Sequence, residues 1–177
     1  MIYIVCLCII AGVLSLDLIT KSIAVSQNFN VEIIPHLLKF KLTYNKGASF
    51  SFLSDKPWAK YFFITLTFIV CLLIVAYFVF KMVKKQKPTK WLAVSLSLTL
   101  AGAIGNLVDR LYLGKVRDFI YVFYNTDIFP AIFNIADISL VVSVIMICVY
   151  ILFLDEDALF KVKKGEKDNG NTEGDSR

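Results

Sequence analysis

Residues 61 to 80 read YFFITLTFIVCLLIVAYFVF, twenty positions without a single charge. An α-helix needs about 20 predominantly apolar residues to cross the hydrocarbon core of a bilayer, so this run predicts a membrane-spanning helix. The composition of the whole chain agrees, since 58% of its 177 residues are hydrophobic and the mean hydropathy is +0.70. Soluble domains contain about 45–50% apolar residues. The sequence therefore predicts a membrane protein.

Three further apolar runs flank this one. WLAVSLSLTLAGAIGNLV, residues 91 to 108, is uncharged, and IFNIADISLVVSVIMICVYILFL, residues 132 to 154, carries only Asp137 near its start. The first run, MIYIVCLCIIAGVLSL, lacks the basic start and the small-residue cleavage site of a secretory signal peptide. We therefore predict a retained first helix that ends near Lys21, and four transmembrane helices in total.

The distribution of basic residues predicts the orientation of these helices. The loop at 81–90 contains Lys81, Lys84, Lys85, Lys87 and Lys90, whereas the loop between the third and fourth helices contains only Lys115 and Arg117. Because short lysine-rich loops remain in the cytoplasm, we expect both chain ends inside. Residues 1–154 then form one transmembrane domain, and the mixed-charge residues 155–177 form a disordered cytoplasmic tail.

The segment 22–57 is expected on the extracytoplasmic side. KFKLTYN, residues 39 to 45, alternates polar and apolar side chains with the period of a half-buried strand. NKG follows as a turn, and ASFSF at 48–52 resumes the alternation. The predicted fold is an all-α membrane protein of four transmembrane helices, with a small extracytoplasmic β-sheet between helices 1 and 2 that rests on the membrane surface.

Several classes of function are disfavoured by the composition. The single histidine, His36, lies in IIPHLLKF, without the partners that zinc proteases, Ser-His-Asp triads or Cys-His dyads require. The four cysteines lie inside apolar runs and show neither a disulfide nor a metal spacing. The net charge of +5 comes from lysines beside apolar runs, so we expect no nucleic-acid partner, no metal and no cofactor.

The predicted topology places the polar residues of the spans on one side of the membrane. They come from the end of helix 1, the end of helix 3, the following loop and the start of helix 4, and they are Asp17, Asn106, Asp109, Arg110, Asp118, Asn134 and Asp137. Most have an ordinary structural alternative: Asp17 could pair with Lys21 at i+4, Asp109 could pair with Arg110, Asn134 could cap a helix or bond across helices, and Asp118 could be a simple loop residue.

Asp137 has the weakest structural explanation, because ionisable groups inside spans are costly and usually face a bundle interior or a polar cavity. Two aspartates that meet at a partly dry site share a proton. One can then act as a general base on water while the other protonates a carbonyl oxygen, which is acid–base hydrolysis of an amide. The same residues also fit a small proton- or cation-coupled carrier, and the outer sheet also fits a scaffold that binds a partner.

Five sequence boxes together resemble lipoprotein signal peptidase (signal peptidase II), a family of bacterial intramembrane aspartyl proteases. DLITK at 17–21 is similar to Asp-x-x-Thr-Lys, NKGASF at 45–50 to Asn-x-Gly-Ala-x-Phe, AGAIGNLVDR at 101–110 to Gly-Gly-x-x-Gly-Asn-x-x-Asp-Arg, VRDF at 116–119 to Val-x-Asp-Phe, and FNIAD at 133–137 to Phe-Asn-x-Ala-Asp. Ala101 replaces a glycine, and Leu18 stands where the family commonly has Gln. The tail beyond about residue 155 is not covered.

The resemblance implies a catalytic pair, Asp118 and Asp137, and no metal or cofactor. It implies that the site is lined or braced by Asn45, Gly47, Asn106, Asp109, Arg110, Asn134 and Asp17. It also implies the substrate, a prolipoprotein cut just before a diacylglyceryl-modified cysteine, with membrane lipid as the surroundings and the bacterial cytoplasmic membrane as the location. We further expect a monomer.

Overall fold

Four long apolar helices make up most of the structure, a computed structural model that describes residues 1–45, 58–124 and 131–154. They are α1 (Ile2–Ser26), α2 (Ala59–Val83), α3 (Lys90–Leu113) and α4 (Ile135–Val149), and a π-helical turn, Tyr150–Leu154, continues α4. Each is long and apolar enough to cross a membrane. The four predicted helices are confirmed in the described part of the chain, each with the length and composition of a span.

The helix α1 is longer than predicted. It continues past Lys21 to Ser26 and ends where Asn28 adopts a positive φ of 46°. Asn tolerates this left-handed backbone better than most residues, because its short polar side chain hydrogen-bonds locally. The N–H groups of Asn28 and Phe29 then donate to carbonyls of the last helical turn, at Val25 and Ala24. Residues 22–26 therefore belong to the helix and not to the β region.

An antiparallel sheet of four strands lies at one end of the helices. Its strands follow the order β1 (Asn30–Ile34), β2 (Leu38–Asn45), β3 (Val116–Val122) and β4 (Ala131–Phe133). The strand at KFKLTYN is confirmed as part of β2, but its described partners are β1 and β3. Its expected partner ASFSF and the turn NKG, apart from Asn45, lie outside the described residues.

The placement of the sheet between helices 1 and 2 was therefore incomplete, because two strands come from the segment between α3 and α4. VRDFIYV, predicted as a loop, forms β3, and the β-branched and aromatic residues in this run favour a strand. Gly114 precedes it with a φ of +70° and ends α3, a conformation that glycine adopts without steric cost. The chain reverses there and brings β3 beside β2.

The helix α3 is the centre of the bundle. In the most apolar 18-residue stretch of α3, half of the residues are buried, whereas the corresponding share is 11% for α1 and α4 and 6% for α2. Two glycines allow this packing, because a Cβ at Gly102 would lie 2.5 Å from the carbonyl oxygen of Ala136, and one at Gly105 would lie 2.6 Å from an Asp17 carboxylate oxygen. Small residues let helices in membranes approach closely. Ala101, the departure from the family box, is fully buried.

Candidate active site

Asp118 lies in the middle of β3, at the junction between the sheet and the helices. Its side chain is buried, with 3% of the residue exposed. The Asn134 Nδ2 amide donates to Asp118 Oδ1 at 2.7 Å, and the Asn45 Nδ2 amide donates to Asp118 Oδ2 at 3.2 Å. Both carboxylate oxygens are therefore held by amide donors, one from the end of β2 and one from the start of α4.

Asp137 lies in the first turn of α4, where Asn134 is the N-terminal cap. The two residues form a reciprocal capping box: the Asp137 backbone N–H donates to Asn134 Oδ1 at 2.9 Å, and the Asn134 backbone N–H donates to Asp137 Oδ2 at 3.1 Å. Asp137 Oδ1 accepts from the Asn106 Nδ2 amide of α3 at 2.8 Å. A capping box satisfies two helix-end donors, so α4 begins at a fixed residue and holds this carboxylate.

The fully buried side chain of Asn134 connects the two aspartates. Its Nδ2 donates to Asp118, and its Oδ1 and backbone N–H are bonded to Asp137. The same Nδ2 also lies 3.1 Å from Asn106 Oδ1. Asn134 therefore both caps a helix and bonds across helices, the two roles that the sequence suggested separately.

The environment of Asp118 favours its protonated form. Burial raises the pKa of the Asp118 carboxyl to about 7, and the negative charge of Asp137 contributes to the same shift. Hydrogen bonds from the Asn45 and Asn134 amides act in the opposite direction on this pKa but do not cancel the shift. An aspartic acid that keeps its proton near neutral pH, beside a second carboxylate, is the arrangement that acid–base chemistry requires.

Arg110 brings a positive charge toward this pair from the last turn of α3. It interacts electrostatically with Asp137, Asp118 and Asp109. Its guanidinium carbon lies 5.3 Å from the centroid of the Phe63 ring on α2, within the range of a cation–π contact. Arg110 is thus placed to attract a carbonyl oxygen or another electron-rich group near the two aspartates.

A second polar cluster lies directly behind the pair. Lys21 is fully buried, and its Nζ lies 2.7 Å from Asp17 Oδ2 and 3.5 Å from Asp109 Oδ2. It also donates to Asn106 Oδ1 at 3.1 Å. Asp17 Oδ1 accepts from the backbone N–H of Ala136 at 2.9 Å and so ties α1 to the start of α4. The i+4 pair that the sequence suggested for Asp17 is present, and it also braces the site.

Asp109 accepts hydrogen bonds from Arg117, which lies eight residues further along the chain. The Arg117 backbone N–H donates to Asp109 Oδ2 at 2.9 Å, and the Arg117 Nη2 donates to Asp109 Oδ1 at 2.6 Å. The sequence offers no signal for this pair, because β3 must first fold back over the end of α3. Arg117 is absent from the expected set of site residues, and Lys21 was expected only as the i+4 partner of Asp17.

The structure thus brings together all but one of the expected site residues. Gly47 lies outside the described residues. Within residues 1–45, 58–124 and 131–154 no group of three His, Cys, Asp or Glu residues could hold a metal ion. The described side chains offer two amide-braced carboxylates with the cations Arg110 and Lys21 nearby, a set suited to activating water and polarising a carbonyl.

The chain is similar in sequence to proteins of a known family. The family model described as signal peptidase (SPase) II matches residues 9–153. A lipoprotein signal peptidase of Acinetobacter baumannii (strain SDF) is 42% identical over 144 residues, which cover 80% of this chain and 79% of that protein. One from Pseudomonas paraeruginosa (strain DSM 24068 / PA7) is 39% identical over 161 residues, 88% of each chain.

A solved structure shares the fold. It is a bacterial membrane enzyme determined by the in meso method at 2.3 Å resolution, with a TM-score of 0.71 and 34% sequence identity. The match covers 84% of this chain and 87% of that one. A second structure of a bacterial membrane enzyme, at 1.9 Å resolution, matches with a TM-score of 0.68.

Proposed function

The chain belongs to the signal peptidase II family, and from this premise we propose that it is an aspartyl endopeptidase acting on diacylglyceryl-modified prolipoproteins. As a member it is a multi-pass bacterial membrane peptidase that removes signal peptides from prolipoproteins. The proposal adds the aspartyl mechanism, the catalytic roles of Asp118 and Asp137, and a cut just before the lipidated cysteine. Membership in a peptidase family favours hydrolysis over the carrier and scaffold alternatives.

The observation that carries the mechanism is the connection of both carboxylates through Asn134. One aspartate takes a proton from water, and the resulting hydroxide forms a bond to the scissile carbonyl carbon. The other aspartate gives its proton to the carbonyl oxygen. The tetrahedral diol then collapses. The first aspartate gives the proton that it took from water to the amide nitrogen, which leaves as an amine, while the second aspartate takes a proton from a diol hydroxyl, which becomes the new carbonyl. Because coupled carboxyls titrate as a pair, we assign the proton transfers to the two aspartates together and not the role of first base to either one.

The remaining site residues have supporting roles in this proposal. Asn45 and Asn106 orient the two carboxylates through the hydrogen bonds described above. Arg110 stabilises the negative charge that develops on the carbonyl oxygen, as preorganised cations do in other hydrolases. Asp17 and Asp109 hold the cation that anchors Asn106. Gly47 is proposed to line the substrate path, in line with the family box.

The topology supports an extracytoplasmic site. Both strand-bearing segments connect helices at the same end of the bundle, between α1 and α2 and between α3 and α4, and the lysine-rich loop lies at the other end. Positive loops stay inside, so we assign the sheet and the two aspartates to the extracytoplasmic face of the cytoplasmic membrane. Both chain ends then lie in the cytoplasm. A substrate lipid in the outer leaflet would then remain in the bilayer while its peptide enters the site.

The proposed substrate is tested by one cleavage assay with two forms of the same prolipoprotein. We expect the purified protein in detergent, without added metal, to cut the diacylglyceryl-modified form at least about tenfold faster than the unmodified form. The reason is that binding energy from the lipid positions the peptide at the carboxylates. Mass spectrometry of the released peptide locates the cut. Equal turnover of both forms would contradict the lipid requirement.

The dependence of turnover on pH tests the shared proton. A carboxyl with a raised pKa is protonated below that pKa and charged above it, so the site loses its acid as the pH rises. Since burial raises the pKa of Asp118 to about 7 in the substrate-free protein, we expect kcat/KM to decline as the pH rises through about 7. The measurement is a kcat/KM profile from about pH 5 to about pH 9, because kcat/KM reports the groups of the free enzyme. A kcat/KM that stayed constant across the upper half of this range would contradict the assignment of an aspartic acid.

A further inference from the structure

We propose that Arg117 is a positioning residue of this site, which aligns the two aspartates by holding Asp109, and the inference rests on the proposed function. The family box Val-x-Asp-Phe leaves position 117 open, so the resemblance gives Arg117 no role. In this chain the residue is tied to α3, to α4 and to its neighbour Asp118. The guanidinium and the backbone of Arg117 supply two direct connections, and a third, indirect one runs from the guanidinium through Asp109 and Lys21.

The first connection is a clamp on Asp109. The Arg117 Nε lies 3.1 Å from Asp109 Oδ1 and 3.2 Å from Oδ2, and the Nη2 lies 2.6 Å from Oδ1. The Asp109 side chain is 1% exposed and that of Arg117 is 16% exposed. Guanidinium–carboxylate contacts of this kind are among the stronger hydrogen bonds, and their fixed geometry distinguishes Arg from Lys. The clamp holds β3 against the end of α3.

The second connection passes through the backbone of the same residue. The Arg117 N–H donates to Asp109 Oδ2 at 2.9 Å, and the Arg117 carbonyl accepts from Asn134 Nδ2 at 3.3 Å. That amide nitrogen is the one that donates to Asp118 Oδ1. The peptide groups on both sides of Arg117 are therefore bonded to α3 and α4, directly before Asp118. A shift of Arg117 would move Asp118 and the amide that holds it.

The third connection reaches Asp137 through Lys21. Asp109 is shared between the Arg117 Nη2 at 2.6 Å and the Lys21 Nζ at 3.5 Å. With Asp109 held by Arg117, the Lys21 ammonium lies closer to its other partners, at 3.1 Å from Asn106 Oδ1. The Nδ2 of Asn106 then donates to Asp137. Loss of the guanidinium would draw Lys21 toward Asp109 and away from the amide that orients Asp137.

The test compares Arg117→Gln with Lys115→Gln in the lipidated-substrate assay. Both changes remove one positive charge from the same short segment, but the Lys115 Nζ lies over the Tyr44 ring, 3.7 Å from its centroid, rather than on the carboxylate cluster. We expect Arg117→Gln to lower kcat by about 10–100-fold, since small misplacements of reacting groups have effects of that size, with KM nearly unchanged. Lys115→Gln should keep the kcat of the unaltered protein.

Two more variants separate positioning from a general loss of structure. Arg117→Lys keeps the positive charge but loses the several N–H donors of the planar guanidinium. Its kcat should therefore lie between those of Arg117→Gln and the unaltered protein. Adding Asp109→Asn to Arg117→Gln removes the unpaired buried carboxylate, and the double variant should lose less than the product of the two single losses. Thermal unfolding of every variant in the same detergent gives the folded fraction, and each kcat is normalised to that fraction.

The outcomes distinguish this inference from the proposed function. If the unaltered protein cuts the substrate and Arg117→Gln keeps its kcat, or if Lys115→Gln loses as much, the positioning role is overturned while the peptidase assignment stands. Multiplicative losses in the double variant would also overturn it, as would a rise in KM with unchanged kcat. If Arg117→Gln does not fold, a kcat of Arg117→Lys equal to that of the unaltered protein overturns it. An unaltered protein that does not cut the substrate overturns both proposals.

Discussion

Replacing either Asp118 or Asp137 with Asn is expected to lower kcat by about 10²–10⁴-fold, the range that a general acid or base contributes. Asn has nearly the same shape but can neither take a proton from water nor deliver one to a carbonyl. The two single variants should be similarly inactive. The double variant should be no worse than either single one, because residues that act as a unit give strongly non-additive losses.

The control for these variants is Glu32→Gln, another acid-to-amide change, in the sheet that carries Asp118. Glu32 lies on β1 and is exposed, and it should keep full activity when changed. Each carboxylate oxygen of Asp118 and Asp137 accepts from a nitrogen donor, so an Asn leaves one donor facing another. This mismatch lowers stability by about 1–3 kcal/mol, and kcat must therefore be referred to the folded fraction. A single variant with a tenth or more of normal turnover would contradict the paired mechanism.

The second large effect concerns stability. Lys21→Met is expected to lower the free energy of unfolding by about 3–5 kcal/mol, the usual result of removing one partner of a buried ion pair. Met is unbranched and nearly as long as Lys, but it leaves the buried carboxylates of Asp17 and Asp109 without the ammonium between them. Denaturant unfolding in detergent, followed by tryptophan fluorescence or circular dichroism, measures the change.

A matched change and a compensating change make this prediction specific. Lys41→Met alters an exposed lysine on β2 and should change the free energy of unfolding by less than about 0.5 kcal/mol. Adding Asp17→Asn to Lys21→Met should recover part of the loss, because it removes the carboxylate that lost its ammonium, whereas Asp109 keeps Arg117. A loss below about 1 kcal/mol for Lys21→Met would mean that the ammonium does not stabilise the buried cluster.

Much of the fold could be predicted from local patterns. Apolar runs of sufficient length predicted the four helices, and alternation in KFKLTYN predicted a strand. Local patterns were less informative at boundaries. The predicted end of α1 lies five residues early, because the charges of Asp17 and Lys21 resemble the end of a span, whereas the helix continues through the uncharged residues 22–26. VRDFIYV was predicted as a loop, although its β-branched and aromatic residues favour a strand.

The candidate site was predicted mainly through the five boxes, and their residues do converge where the structure describes them. Asn134 illustrates the limit. Its position before Asp137 suggests a helix cap, but nothing in the order of residues indicates that one amide also donates to Asp118 and approaches Asn106. Such contacts join three elements, and their geometry depends on how those elements pack.

The amino-acid sequence alone was enough to predict a four-helix membrane protein, because the apolar length of a span and the lysine content of its loops are properties of short segments. Only the tertiary structure shows which cation lies beside which carboxylate. Lys21 and Arg117 are far apart in the chain and meet at Asp109 only after β3 turns back over α3. In a buried site the stability of each charge depends on partners a few ångströms away, and those partners come from tertiary packing.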